Sequence, residues 1–308
     1  MAKPRLLNTH SKKWESYKLF LYVLPCLIFI FIFKYLPLWG WSYAFFQYKP
    51  GRDLFKCAFV GLQNFTALFG NAVMRNNLLR VLRNTFGIQI LNYLLMPVPM
   101  LFAIFLSEIK STKFQKAVQT LTTLPHFISW VIMFSLATSL FGNSGVVNAV
   151  LENFGAEGIN ILTTDQHVWL IQSLLALWKS LGWSAIIYFA AITGLDQEVY
   201  EAAMVDGASR WQKIRYITIP LLIPTFFVLL IMGIGNFLNS GIDQFLAFGN
   251  AMNKEYIEVL DLYVYNLGIG NGQISFSVAV GMMKSLVAVV LFACANFASK
   301  KIRGTSVF

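Results

Sequence analysis

Residues 201–220 read EAAMVDGASRWQKIRYITIP. Two long apolar runs flank them, yet they carry Glu201, Asp206, Arg210, Lys213 and Arg215. Charges are costly in hydrocarbon, so this segment marks a place where an otherwise oily chain comes out into water. The stretch 196–205 predicts a helix with acidic residues early, where the positive helix end favours them. Ala202 and Ala203 are small and let another surface come close to the backbone. Gly207 supplies the left-handed geometry that ends a helix and turns the chain. Trp211, Ile214 and Ile217 or Thr218 then recur at helical spacing, predicting a second short helix. Pro220 marks entry into the next apolar run. The expected product is a helix-turn-helix bracket held on a membrane face.

Outward from this bracket the chain is apolar. Of 308 residues, 57% are hydrophobic and 12% charged, about half the ~25% charged share of a soluble domain. Six stretches reach the ~20 apolar residues that a helix needs to cross a bilayer: 19–39, 85–106, 121–141, 169–193, 219–238 and 276–297. They exclude a soluble two-domain enzyme of this size and predict an all-α membrane protein. The first run is too long for a signal-peptide core and lacks a small-residue cleavage site, so it is expected to be retained. The net charge of +10 does not indicate nucleic acid, because the basic residues sit beside apolar runs without an aromatic-basic surface pattern. Cys26 and Cys294 fall in apolar runs and are expected to be buried small hydrophobes. With Cys57 they form no disulfide framework or metal spacing. His10, His126 and His167 are far apart and form no metal or catalytic set.

Basic residues also predict orientation. Both termini, Lys110, Lys113, Lys116, Arg210, Lys213 and Arg215 fall on one side; Lys49, Arg52, Lys56, Arg75, Arg80, Arg83 and Lys254 fall on the other. The first set is larger, which places both termini in the cytoplasm. Arg80 and Arg83 lie close to the second run and oppose this. The expected divisions are a cytoplasmic segment 1–18, a membrane domain 19–298 containing a cytoplasmic loop 196–217, and a tail 299–308. The outer loop NKEYIEVLDLYVYNLG (253–268) spaces Glu255, Glu258 and Asp261 for a short amphipathic helix on the outer surface.

Polar groups inside spans face a cavity or a partner. Asn236 and Asn239 are three apart and are expected to share a helix face, with Asp243 one turn further out. An asparagine amide both donates and accepts, as a sugar requires, and Phe237 and Phe245 are close in sequence. Interhelical hydrogen bonding is the plainer reading of the same pair. Trp178 and Trp183 in WKSLGW (178–183) have faces on which a sugar stacks, or they simply pack. Lys179 between them reads as structural. Lys34 and Lys284 also fall within spans and receive no role.

The pattern Glu201-Ala202-Ala203, three residues, Gly207, nine residues, Ile217-Thr218-Ile219-Pro220 resembles the cytoplasmic loop of the membrane subunits of binding-protein-dependent ABC importers. The family form has Leu where this chain has Ile219. FVGLQNFTALF (59–69) with RNTF (83–86) resembles the outer segment of carbohydrate-type permeases. WKSLGWSAIIYFAAITGLDQEVYEAAMVDGA (178–208) resembles their fourth span and loop, and YIEVLDLYVYNLGIGNGQISFSVAVGM (256–282) their last outer loop and sixth span. Tyr22, Pro25, Tyr35, Pro37 and Gly40 fit the first span of the polysaccharide and oligosaccharide branch.

The resemblance implies a type I importer permease fold in a bacterial plasma membrane. Glu201, Ala202, Ala203, Asp206 and Gly207 would dock into an ATP-binding subunit. It also implies a second permease, usually a different chain, two ATP-binding subunits and an extracytoplasmic binding protein. In maltose-type relatives an asparagine pair like Asn236 and Asn239 contacts sugar. The chain has no G-x-x-x-x-G-K-[ST] sequence, so ATP and Mg would be bound by partner subunits and this chain would catalyse nothing itself. The competing class is a stand-alone ion-coupled transporter or channel, with Lys34, Lys179, Lys284 and Asp243 as a charge path. Against it, no inverted repeat with paired broken helices is visible.

Overall fold

A computed structural model describes residues 9–159 and 161–303; the remaining parts of the expected terminal segments, 1–8 and 304–308, lie outside it. Among the described residues, six segments are long and apolar enough to cross a membrane. Span 1 runs through Tyr17–Phe45 and span 2 through Ala72–Ser107. The third apolar segment is Trp130–Asn153, later than the expected 121–141; the helix Thr112–Phe127 leads into its first helix, Trp130–Phe141, and the two helices are called span 3 below. Span 4 is Val168–Thr193, span 5 Arg210–Gly235 and span 6 Ile274–Phe297. With six crossings, the 108–111 turn, the 194–209 connection, the start of span 1 and the end of span 6 share one end of the bundle, called the near end below.

Proline explains two of the irregularities. Span 2 breaks at Met96, and Pro97 restarts it at the first helical position, where its missing amide costs nothing. Span 5 widens over Ile214–Thr218, after its first turn, and the regular helix follows with Pro220 in its own first turn. Span 3 was expected as one stretch over 121–141. It is interrupted at Ile128, whose backbone is extended, and Ser129 caps the second half by accepting from the Ile132 amide at 3.3 Å.

Lys179 of span 4 repairs this interruption. Its Nζ donates to the carbonyls of Pro125, His126 and Ile128 at 2.9, 2.7 and 2.6 Å and lies 5.5 Å from the Trp130 ring centre. The structural reading of Lys179 is the one that geometry supports. One turn on, Gly182 lets spans 3 and 4 touch backbone to backbone: a Cβ there would lie 2.4 Å from the Thr122 carbonyl. Neither backbone can yield cheaply. Gly182→Ala is therefore expected to cost about 1–3 kcal/mol by overpacking, read as a lower melting temperature of the purified protein in detergent. An unchanged melting temperature would contradict this crossing.

The buried residues form three clusters. At the near end, Met100, Ala103 and Ile104 of span 2 pack with Ala185 and Tyr188 of span 4 and Ile214 and Leu222 of span 5. Toward the far end, Ile88, Ala137 and Leu175 pack with Phe245, Phe248, Ile257 and Val259. Beside them, Val81 and Phe276 enclose Leu260 and Tyr263. Span 1 differs, since none of its apolar window is buried in the chain. Its terminal turns, over Leu36–Phe45, pack on span 6.

Several expectations are corrected here. Cys26 and Cys294 are exposed, because their apolar runs face outward from the bundle. The 253–268 segment is not one surface helix. It forms Lys254–Ile257 and Leu260–Tyr265, broken at Glu258 and Val259, and Val259, Leu260 and Leu262 are buried. Glu258 and Asp261 are drawn inward by cations on neighbouring spans, while Glu255 stays exposed. Glu258 pairs with Arg80 at 2.6 Å, and Asp261 pairs with Lys284. Arg80 thus serves the fold rather than the orientation signal. Arg83 packs over the Trp169 and Tyr256 rings, 5.9 and 5.3 Å from their centres.

Candidate functional site

The charged segment folds as the bracket its sequence predicts. Asp196 caps the helix Gln197–Val205 by accepting from the Glu198 amide at 2.9 Å. The helix ends on Gly207 with φ +75°. There the Ala208 amide donates to the Ala203 carbonyl at 2.9 Å and the Gly207 amide to Met204 at 3.1 Å, a Schellman stop. Ser209 opens the next helix, Arg210–Lys213, in a capping box with Gln212. The widened turn over Ile214–Thr218 leads straight into the regular helix of span 5, Ile219–Gly235. The two limbs are tied together by the Tyr200 and Thr218 hydroxyls at 2.9 Å, with Thr218 buried. Trp211 packs edge-on to Phe105 near the end of span 2, with ring centres 6.1 Å apart.

The elbow of this bracket faces away from the chain. Glu201, Ala202, Asp206 and Gly207 are exposed and Ala203 is half-buried. Val205 is 88% exposed, and a Cβ at Gly207 would meet nothing within 4 Å. The five residues expected to dock therefore all reach the surface at the near end, Ala203 in part.

The residues expected to touch substrate are less united. Asn236 and Asn239 do not share a helix face, because the helix of span 5 ends at Gly235. They meet in the turn that follows, where Asn239 Nδ2 donates to Asn236 Oδ1 at 3.2 Å. Gly233 and Gly235 weaken the last helical turn there. Phe237 turns inward onto Tyr93 and Phe86, 5.5 and 5.1 Å between ring centres. Asp243 starts a separate helix, Asp243–Phe248, rather than continuing span 5. Asn236 lines a cavity of about 330 Å³ with Met232, Val289 and Phe292. Asp243 lines another of about 650 Å³ with Trp130, Lys179 and Leu246. Trp183 stacks flat on His126 at 4.5 Å, and Trp178 is 37% exposed.

Trp183 also lines a third cavity, of about 440 Å³, between spans 2, 4 and 5. Asn92, Ser173, Ser180, Ser184 and Tyr188 give it polar walls. The Tyr188 hydroxyl is buried with no hydrogen-bond partner among the described residues. From this cavity a polar ladder climbs toward the far end. Asn92 Nδ2 donates to Gln89 Oε1 at 3.4 Å, and Gln89 Nε2 donates to Ser240 Oγ at 3.1 Å. Sequence reasoning missed Gln89, Asn92 and Tyr188. The signal was present, since an amide inside an apolar span needs a polar neighbour.

Outside the spans, burial first and the Glu258 carboxylate second raise the Tyr263 phenol above its ordinary value, while Arg80 acts the other way. The phenol stays protonated throughout the physiological range.

Residues 88–304 match the family described as "Binding-protein-dependent transport system inner membrane component". The chain is 40% identical over 285 residues to the polygalacturonan/rhamnogalacturonan transport system permease protein YteP of Bacillus subtilis, covering 92% of this chain and 88% of the relative. It is 37% identical over 291 residues to protein LplB of the same organism, covering 94% and 89%. Among solved structures, it resembles a chain of a bacterial ABC transporter that imports the acidic polysaccharide alginate. The TM-score is 0.83 at 32% identity, covering 96% of this chain and 99% of that one. A second alginate transporter structure, in complex with a pentasaccharide-bound periplasmic protein, gives the same TM-score at 33% identity, covering 98% and 100%.

Proposed function

The chain belongs to the binding-protein-dependent transport system inner membrane component family, multi-pass membrane permeases of ABC importers, and from that premise we propose how its parts divide the work. It forms half of a translocation pathway for an oligosaccharide. The other half is a second permease, a different chain. Two ATP-binding subunits dock at the near end, which faces the cytoplasm with both termini, and an extracytoplasmic binding protein delivers cargo at the far end. ATP and Mg belong to the docked subunits, and this chain does no covalent chemistry. Its cargo is assigned from its relatives, whose names specify polygalacturonan, rhamnogalacturonan and alginate.

The observation that carries this reading is the bracket. Its small, exposed elbow is covered by none of the described residues, while its second limb runs into span 5 and its first is bonded to that limb through Tyr200 and Thr218. A force on Glu201, Ala202, Ala203, Asp206 and Gly207 thus tilts span 5 and whatever the span carries at its other end. Asn236, Asn239, Asp243, Trp178 and Trp183 line the sugar's route in this scheme. A lone ion-coupled carrier is disfavoured because Lys284 is neutralised by Asp261 and Lys179 is held by three carbonyls.

The test is reconstitution. With its ATP-binding subunits, the second permease and a loaded binding protein, the chain is expected to take labelled oligosaccharide into liposomes only when ATP is supplied. Uptake by the chain alone, driven by an ion gradient, would overturn the assignment.

A further inference from the structure

Span 5 ends at Gly235, and the turn after it has no helix to hold it. Asp261, from the neighbouring helix Leu260–Tyr265, supplies the hold. Its Oδ2 accepts from the Ser240 amide at 2.9 Å and the Gly241 amide at 3.1 Å. Its Oδ1 pairs with the Nζ of Lys284 from span 6. Both side chains of the pair are shielded, at 14% and 16% exposure. The Ser240 hydroxyl is fixed from the other side by Gln89, which in turn holds Asn92 at the cavity wall.

We propose that Asp261 and Lys284 are positioning residues that lock the 236–241 turn, and with it Asn236 and Asn239, in the geometry used for sugar contact. The charges divide the task. A carboxylate accepts two backbone amides better than any neutral group. Lys284 balances the carboxylate's charge from span 6, and the pair is shielded from solvent. Span 6, span 2 and the outer helix thereby converge on one turn at the end of the span that the bracket moves. The sugar-contact part of the proposal rests on the function proposed above; the locking part rests on these bonds alone.

The experiment is amide hydrogen exchange over 236–243 in the assembled importer in lipid nanodiscs, with ATP-driven uptake measured in parallel. Lys284→Met and Asp261→Ala are expected to speed that exchange about tenfold by raising the open fraction of the turn and to reduce uptake. Asp261→Asn, which keeps the shape with a neutral acceptor, is expected to lie between them and wild type, and Lys284→Arg to restore both readouts. The sharper variant exchanges the charges, Asp261→Lys with Lys284→Asp. It keeps an ion pair but leaves the Ser240 and Gly241 amides no acceptor, so exchange should stay fast. Slow exchange in that variant, or unchanged exchange in both Lys284→Met and Asp261→Ala, would overturn the lock. Asn236→Ala with Asn239→Ala separates the two readings. Normal uptake there, alongside fast exchange in Lys284→Met, keeps the lock and removes the sugar contact.

Discussion

Gly207→Trp is expected to reduce ATP-driven uptake by about tenfold or more, a loss of at least ~1.4 kcal/mol of productive docking, while part of the complex still assembles. Two effects are combined in this substitution, and they separate. Gly207 has φ +75°, so any other residue there costs about 1–2 kcal/mol of backbone strain. Gly207→Ala pays only that cost, because its Cβ meets nothing within 4 Å among the described residues. Tryptophan adds bulk that leaves the backbone into open space and so acts on whatever sits against the elbow. A steep fall from alanine to tryptophan, with ATP-binding subunit still co-purifying, identifies a docked surface. Equal uptake by the two variants would mean that nothing approaches the elbow.

Lys179→Met is expected to destabilise the protein by about 3 kcal/mol or more, since three carbonyls lose a charged donor at ~1–3 kcal/mol each. The ammonium spans the interruption between Phe127 and Trp130, donating to Pro125, His126 and Ile128. Methionine fills similar volume but donates nothing. The two halves of span 3 should then separate from span 4, with a large drop in the temperature at which detergent-purified protein aggregates. Lys179→Arg should recover part of the loss, because a guanidinium also reaches more than one acceptor. A methionine variant as stable as wild type would show that water or lipid headgroups serve those carbonyls equally well.

The bracket was readable in the sequence because its signals are local. Gly207 at a helix end, the acids early in the first limb and the 211–218 periodicity all act within a few residues. The spans were readable because apolar length alone specifies a crossing. What sequence could not show depends on distant partners. Glu258 and Asp261 look like solvent-facing acids until Arg80 and Lys284 arrive from spans far away in the chain. Lys179 looks like an isolated cation until the broken end of span 3 is placed beside it. The Asn236 and Asn239 spacing fitted a helix that in fact stops at Gly235. Hydropathy continues to Leu238 and hides that ending. Cys26 and Cys294 were misplaced for a related reason: an apolar run in a membrane faces lipid as readily as protein.

The central claim is that the 201–207 elbow is the cytoplasmic surface gripped by an ATP-binding subunit. Ala202→Cys and Asp206→Cys, each in a background whose native cysteines are replaced, test it in membrane vesicles of known sidedness containing the assembled importer. Both cysteines should react with an impermeant maleimide only from the cytoplasmic side. Both should also form a crosslink to the ATP-binding subunit whose yield changes when ATP is added. Labelling from the exterior, or no crosslink in complexes that hydrolyse ATP and import sugar, would contradict the account.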